Sequence, residues 1–167
     1  MKIVPEWIEG WEPGLYDKVR EAALRNGIEP EWVAAFVQAE SSGNTHAVRF
    51  EPGWKYFHNI GMHAKRLKIT DDSEKAQQQF SWGLLQVMGS VAREWGYPDM
   101  LHTLSDPKRG LEFGCRHLAA MRRRYPTGRD WIAAYNAGSP RKGPSGSYAN
   151  EGYVKKVVGF WNDFSDS

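Results

Sequence analysis

The segment Glu31-Trp32-Val33-Ala34-Ala35-Phe36-Val37-Gln38-Ala39-Glu40 constrains this chain more than any other. Val33, Phe36, Val37 and Glu40 recur at i, i+3, i+4 and i+7, which is one face of an α-helix. A stripe of that kind must be covered by other apolar surfaces, so the segment demands a packed helical domain. Its fourth member is a carboxylic acid. Ser41-Ser42-Gly43 ends the helix just beyond it, so Glu40 lies in the last turn, where the macrodipole opposes negative charge. Burial opposes it too, and a raised pKa is expected. An acid kept neutral near pH 7 can deliver a proton in catalysis.

The rest of the chain supplies the covering helices. Leu15 to Arg25 is amphipathic and ends at Asn26-Gly27. Pro30 suits the first turn of the helix that carries Glu40. Asp71-Asp72-Ser73 can cap a helix through Gln79, and a further helix is expected from Trp82 or Gly83 to Trp95. Asp106-Pro107 opens a helix to about Arg124, which Pro126 and Gly128 terminate. Asp130 can cap a short helix through Tyr135 and Asn136, with Gly138 past its end. Residues 139–147 read as a flexible basic loop, and the last helix aligns Tyr153, Val154, Val157, Val158 and Trp161. The fold class is all-α, α+β at most, in a single domain over 1–167, with room for a small hairpin in 45–65. Trp95, Trp131 and Trp161 take helical apolar positions and belong to the core, whereas Trp54 and Trp82 are better placed for a surface groove.

Composition narrows the function. A net charge of +2 gives no electrostatic case for nucleic acid. The lone Cys115 permits no intrachain disulfide and reads as a small core residue. Met1 to Trp7 lacks a signal-peptide h-region and no apolar run spans a membrane, so the expectation is a product made in the cytoplasm, without membrane insertion. His58 and His63 lack a third ligand and the His-Glu-x-x-His spacing, so neither a metal nor another cofactor is expected. A monomer is the default.

Four segments stand out together: Glu40-Ser41-Ser42-Gly43-Asn44, Ser81-Trp82-Gly83-Leu84-Leu85-Gln86-Val87-Met88, Ala134-Tyr135-Asn136-Ala137-Gly138 and Gly152-Tyr153-Val154. In this order they resemble the lysozyme-like soluble lytic transglycosylases and goose-type lysozymes: a Glu-Ser after a helix, Gly-Leu-x-Gln, Ala-Tyr-Asn-Ala-Gly and a late Tyr-Val. The resemblance covers roughly residues 30–160. Val48-Arg49-Phe50-Glu51, with the long insert before Gly83, is also similar to phage N-acetylmuramidases. The resemblance implies a lysozyme-like fold and cleavage of peptidoglycan glycan strands between N-acetylmuramic acid and N-acetylglucosamine. It also implies a phage endolysin or virion component that acts on the host wall after delivery.

Carried over residue by residue, the resemblance makes Glu40 the catalytic acid. Ser41, Gln86, Tyr135, Asn136 and Tyr153 become substrate-binding residues. A lytic transglycosylase needs one carboxylate, first as acid and then as base. A hydrolytic muramidase needs a second one to position water, and Glu51 is the candidate, with Asp71 and Asp72 behind it. No acidic residue falls between Glu40 and Glu51, where goose-type enzymes carry aspartates. That gap favours the transglycosylase. Many transglycosylases place Glu-Thr four residues before the late Tyr; positions 149 and 150 are Ala and Asn here, and Glu151 is out of phase. Each polar candidate also has a structural reading, with Glu51 paired to Arg49 or Lys55 and the tyrosines as core residues. A wall-binding or virion structural protein without catalysis, and a chitin-cleaving enzyme, are the remaining alternatives.

Overall fold

The computed structural model describes residues 2–166; the outermost positions of the expected 1–167 domain, 1 and 167, lie outside the described residues. In chain order the elements are β1 (Lys2–Ile3), α1 (Glu6–Glu9), α2 (Leu15–Arg25), α3 (Pro30–Ser41), β2 (Val48–Phe50), α4 (Ile60–Leu67), α5 (Asp71–Gln78), β3 (Phe80–Trp82), β4 (Val87–Met88), α6 (Gly89–Glu94), a 3-10 turn (Leu101–Ser105), α7 (Pro107–Arg124), α8 (Asp130–Ala137), α9 (Glu151–Asn162) and β5 (Ser165–Asp166). The chain is mainly helical, as its periodicity demands.

Helix α3 is central because its apolar residues go all the way round. Val33, Ala34, Ala35, Phe36 and Val37 are all buried, and α2 and α9 pack against it. Val154, Val157 and Val158 are the buried residues of α9. Trp32 stacks on Trp161 at 4.5 Å between ring centroids and meets the edge of Trp131 at 5.4 Å. Trp131 and Trp161 thus join the core or its margin as expected. Trp95 does not: it ends α6 on the surface, 37% exposed, against the ring of His117. Cys115 is buried in α7, and burial pushes its thiol up to about 12, so it stays an inert core residue.

The sheet differs from the expected hairpin. Only β2 comes from the 45–65 region; it pairs antiparallel with β3, which pairs in turn with β4, giving the order β2-β3-β4. The helix expected from Trp82 or Gly83 to Trp95 is replaced by β3, a turn, β4 and the short α6. The cause is local. Gly83 (φ 71°) and Gln86 (φ 48°) both take left-handed backbone. The Gln86 amide donates to the carbonyls of Gly83 (2.9 Å) and Ala47 (3.0 Å) and accepts from Ser81 Oγ (2.8 Å). These bonds give the backbone an alternative to the helical ladder. A Cβ at Gly83 would also stand 2.6 Å from the carbonyl oxygen of Leu104.

Two caps differ as well. Thr70, not an Asp, caps α5 by accepting from the Ser73 amide, and Asp71 opens the helix. Asp130 starts α8 without capping it and instead accepts from the Tyr148 hydroxyl at 2.6 Å. Asp106 caps α7 as expected, accepting from the Arg109 amide at 3.0 Å.

Helix α7 can approach the 83–86 turn because Gly114 faces Leu85. A Cβ there would lie 2.4 Å from Leu85 Cδ1 and 2.7 Å from its Cβ. Gly114→Ala should therefore overpack this contact and lower stability by about 1–3 kcal/mol. Urea unfolding checks this; an unchanged midpoint would mean that the turn moves aside without cost.

Candidate active site

Glu40 occupies the last turn of α3, and the left-handed Ser42 (φ 53°) caps the helix behind it. Lys156 of α9 donates to the Ala39 carbonyl at 2.9 Å, satisfying one of the helix-end acceptors. The Glu40 carboxyl sits at the wall of a groove of about 580 Å³ between the sheet and the helices. Burial raises its pKa above the ordinary carboxyl value, against the opposing pull of the Tyr153 hydrogen bond and the charges of Arg49 and Lys156. The Tyr153 hydroxyl donates to Glu40 Oε1 at 2.5 Å.

Two phenols flank the acid. Tyr135 of α8 donates to the Leu85 carbonyl at 2.6 Å, tying α8 to the 83–86 turn. Burial and then the Glu40 charge push both Tyr135 and Tyr153 well above the usual phenol value. Both stay protonated and serve as donors. Phe36 separates them, with ring centroids 5.1 Å from Tyr135 and 6.5 Å from Tyr153.

Of the residues expected at the site, Glu40, Glu51, Gln86, Tyr135 and Asn136 line the groove. Ser41 and Tyr153 stand behind it. The Ser41 hydroxyl lies 2.8 Å from the Leu84 carbonyl and 3.1 Å from that of Val37, where it joins α3 to the turn. Gln86 has both amide hydrogens committed to backbone carbonyls, so it shapes the groove wall and is left only acceptor capacity for a sugar. Asn136 is exposed and accepts from Asn150 Nδ2 at 2.9 Å, which leaves its own amide hydrogens free for a ligand. Glu51 is paired with Arg49, Nε to Oε1 2.6 Å, at the sheet end of the groove. Trp54 lines that end together with Tyr56, whereas Trp82 turns its indole N–H to the Gln77 carbonyl at 3.0 Å, outside the groove lining. Glu151 accepts from the Tyr148 amide at 2.9 Å, a helix-start role.

The sequence reading missed the opposite end of the groove. His117, Met121 and Arg124 line it from α7, facing Val91 and Glu94 of α6. The spacing 117, 121, 124 is a helical stripe, and it continues the line of Gly110 and Gly114, where α7 comes close to its neighbours. Two glycines on one helix face ahead of a histidine were the available signal. Arg124, in the last turn of α7, opens onto the groove. His58 Nδ1 and His63 Nε2 lie 3.1 Å apart, and among the described residues no group of three or more His, Cys, Asp or Glu could hold a metal ion. No helix among the described residues is long and apolar enough to cross a membrane.

A helical body, a small antiparallel sheet beside it and a groove between them with a half-buried acid define a lysozyme-like domain. The chain belongs to the transglycosylase SLT domain family, whose sequence profile matches residues 17–157. Among solved structures the fold matches an inactive glutamate-to-glutamine variant of the lytic transglycosylase Slt from Pseudomonas aeruginosa, with a TM-score of 0.57 and 17% identity. The match covers 87% of this chain and 23% of that one. No curated protein sequence matches the chain.

Proposed function

We propose that this domain is a peptidoglycan lytic transglycosylase, cutting the β-1,4 bond between N-acetylmuramic acid and N-acetylglucosamine. The observation that carries the reading is a half-buried carboxyl of raised pKa at the wall of an open groove, held by Tyr153. Glu40 donates its proton to the glycosidic oxygen as the C1–O bond breaks, releasing the N-acetylglucosamine 4-hydroxyl. The carboxylate then takes the proton of the muramic acid 6-hydroxyl, whose oxygen bonds to C1. The product is a 1,6-anhydro ring, the acid is regenerated, and no water is consumed. Tyr153, as a neutral donor to Glu40, stabilises the carboxylate form between the two steps. Trp54 and Tyr56 offer the faces on which sugar rings stack. The long insert that carries these aromatics supports a phage enzyme working on the host wall.

The second reading is a hydrolase that uses Glu51 as its partner carboxylate, and it rests on Glu51 lining the same groove. The Arg49 ion pair favours the first reading, because it commits Glu51 to a neighbouring cation. Glu51→Gln should leave the rate of wall lysis within about threefold, whereas loss of a required base costs about 100-fold or more. Mass spectrometry of the digest decides the outcome directly. Anhydro-muramic ends, one water lighter than reducing ends, are expected; reducing ends would overturn the transglycosylase.

A further inference from the structure

We propose that His117 recognises an N-acetyl group of the glycan, donating its Nε2–H to the acetamido carbonyl oxygen. The inference rests on the groove being a glycan site. His117 stands one helical turn beyond Gly114, whose missing side chain lets α7 close on Leu85. Its ring packs against Tyr135, with centroids 5.3 Å apart, so it is next to one of the phenols beside Glu40.

Its tautomer follows from its neighbours. The indole N–H of Trp95 can only donate, and it points at His117 Nδ1 from 3.4 Å. Nδ1 is therefore the acceptor, and the proton of the neutral ring sits on Nε2. Burial pushes the imidazole down to about 4, so the ring is neutral at pH 7. Among the described residues Nε2 has no hydrogen-bond partner, and it is not sealed away: the buried side-chain nitrogen or oxygen without a partner is Ser90 Oγ. The free edge of the ring therefore opens to the groove that His117 lines.

The chemistry of that wall selects the ligand. A neutral donor suits a neutral carbonyl, with no charge to desolvate. Met121, one turn along α7, and Val91, across on α6, supply apolar surface beside it. A donor and apolar side chains in one wall, with the charged Glu94 and Arg124 in the same lining, match the two ends of an acetamido group, its oxygen and its methyl. A bare hydroxyl would use only the donor.

The test uses the Glu40→Gln protein and a stem-free tetrasaccharide of alternating N-acetylglucosamine and N-acetylmuramic acid. The glycan should shift the imidazole Nε2–H signal in 15N NMR. His117→Phe in that background should weaken binding about tenfold, the worth of one hydrogen bond, with unchanged melting, and His117→Gln should restore it. The fully de-N-acetylated glycan should bind the parent weakly and lose nothing further on His117→Phe. If the tetrasaccharide binds with the Nε2–H signal unmoved, or if His117→Phe keeps the preference for the acetylated glycan, the inference fails while the glycan reading stands. If the tetrasaccharide does not bind at all, both fail.

Discussion

Glu40→Gln is expected to lower the rate of wall lysis by about 10²- to 10⁴-fold, the usual contribution of a positioned general acid, while the fold stays intact. The amide keeps an oxygen for the Tyr153 hydroxyl, so the hydrogen bond beneath the groove survives. It loses the proton that must pass to the glycosidic oxygen. Turbidity loss of purified wall measures the rate, and circular dichroism confirms the fold. A variant that lyses wall at the parent rate would remove Glu40 from the mechanism.

The same substitution carries a stability sign that a merely structural carboxylate would not give. The folded pKa of Glu40 lies above its unfolded value because burial penalises the charge. Protonation therefore favours the folded state. The acid form's contribution is fully present below the unfolded value, about 4.3, and is lost as pH rises through the folded pKa. Above the unfolded value the protein bears a cost of burial at Glu40 that Gln does not carry. Glu40→Gln should thus melt at the same temperature or higher at pH 7, with the gain vanishing on acidification toward pH 4. Activity in the parent should fall over the same interval as pH rises, since the proton donor is lost. Stability held down at the reacting group is the expected signature of a site kept for function.

The helices were legible because their signals are local. The α2 stripe, the Asp106-Pro107 start and the α9 face all follow from spacing and caps within one segment. The central acid was legible for the same reason, since the stripe of α3 carries it into the interior. What escaped depends on partners distant in sequence. Gln86 looks like a sugar-binding amide until the Ala47 carbonyl, 39 residues away, is seen to accept its hydrogen bond. The 82–95 helix looks sound until the Gln86 side chain and Gly83 turn the backbone into β4. His117 became visible only when the Gly114 contact showed which face of α7 meets the turn. Trp95 sits at a helical apolar position, but α6 is too short to bury it.

Arg93→Met is expected to destabilise the fold by about 3–5 kcal/mol, the cost of leaving one charge of a buried pair alone. Arg93 and Glu74 are both fully buried, joined by Nε to Oε1 at 2.7 Å and a second guanidinium nitrogen to Oε2 at 2.9 Å. Arg93 also donates to the carbonyls of Tyr97 and Asp99, each at 2.7 Å, so one side chain fixes α5, α6 and the loop toward the 3-10 turn. Removing it orphans a carboxylate and two carbonyls together. At roughly 2–4 °C per kcal/mol for a chain of this size, calorimetry should show a drop of roughly 10 °C. The double variant Glu74→Leu/Arg93→Met should recover much of the loss, because an apolar pair of similar volume replaces the ions without stranding either. Burial alone would raise the Glu74 pKa, but the hydrogen bonds from Arg93 and Gln78 and the guanidinium charge hold it below the ordinary value. That contribution is present above the unfolded value and is lost as pH falls through the folded one, so the parent should lose more stability than the double variant on acidification. Because α6 also supplies Val91 and Glu94 to the groove, the single variant should lose wall lysis at temperatures where the parent still works. An Arg93→Met protein with the parent's melting temperature would show instead that water reaches Glu74 and that the pair does not hold this wall of the groove.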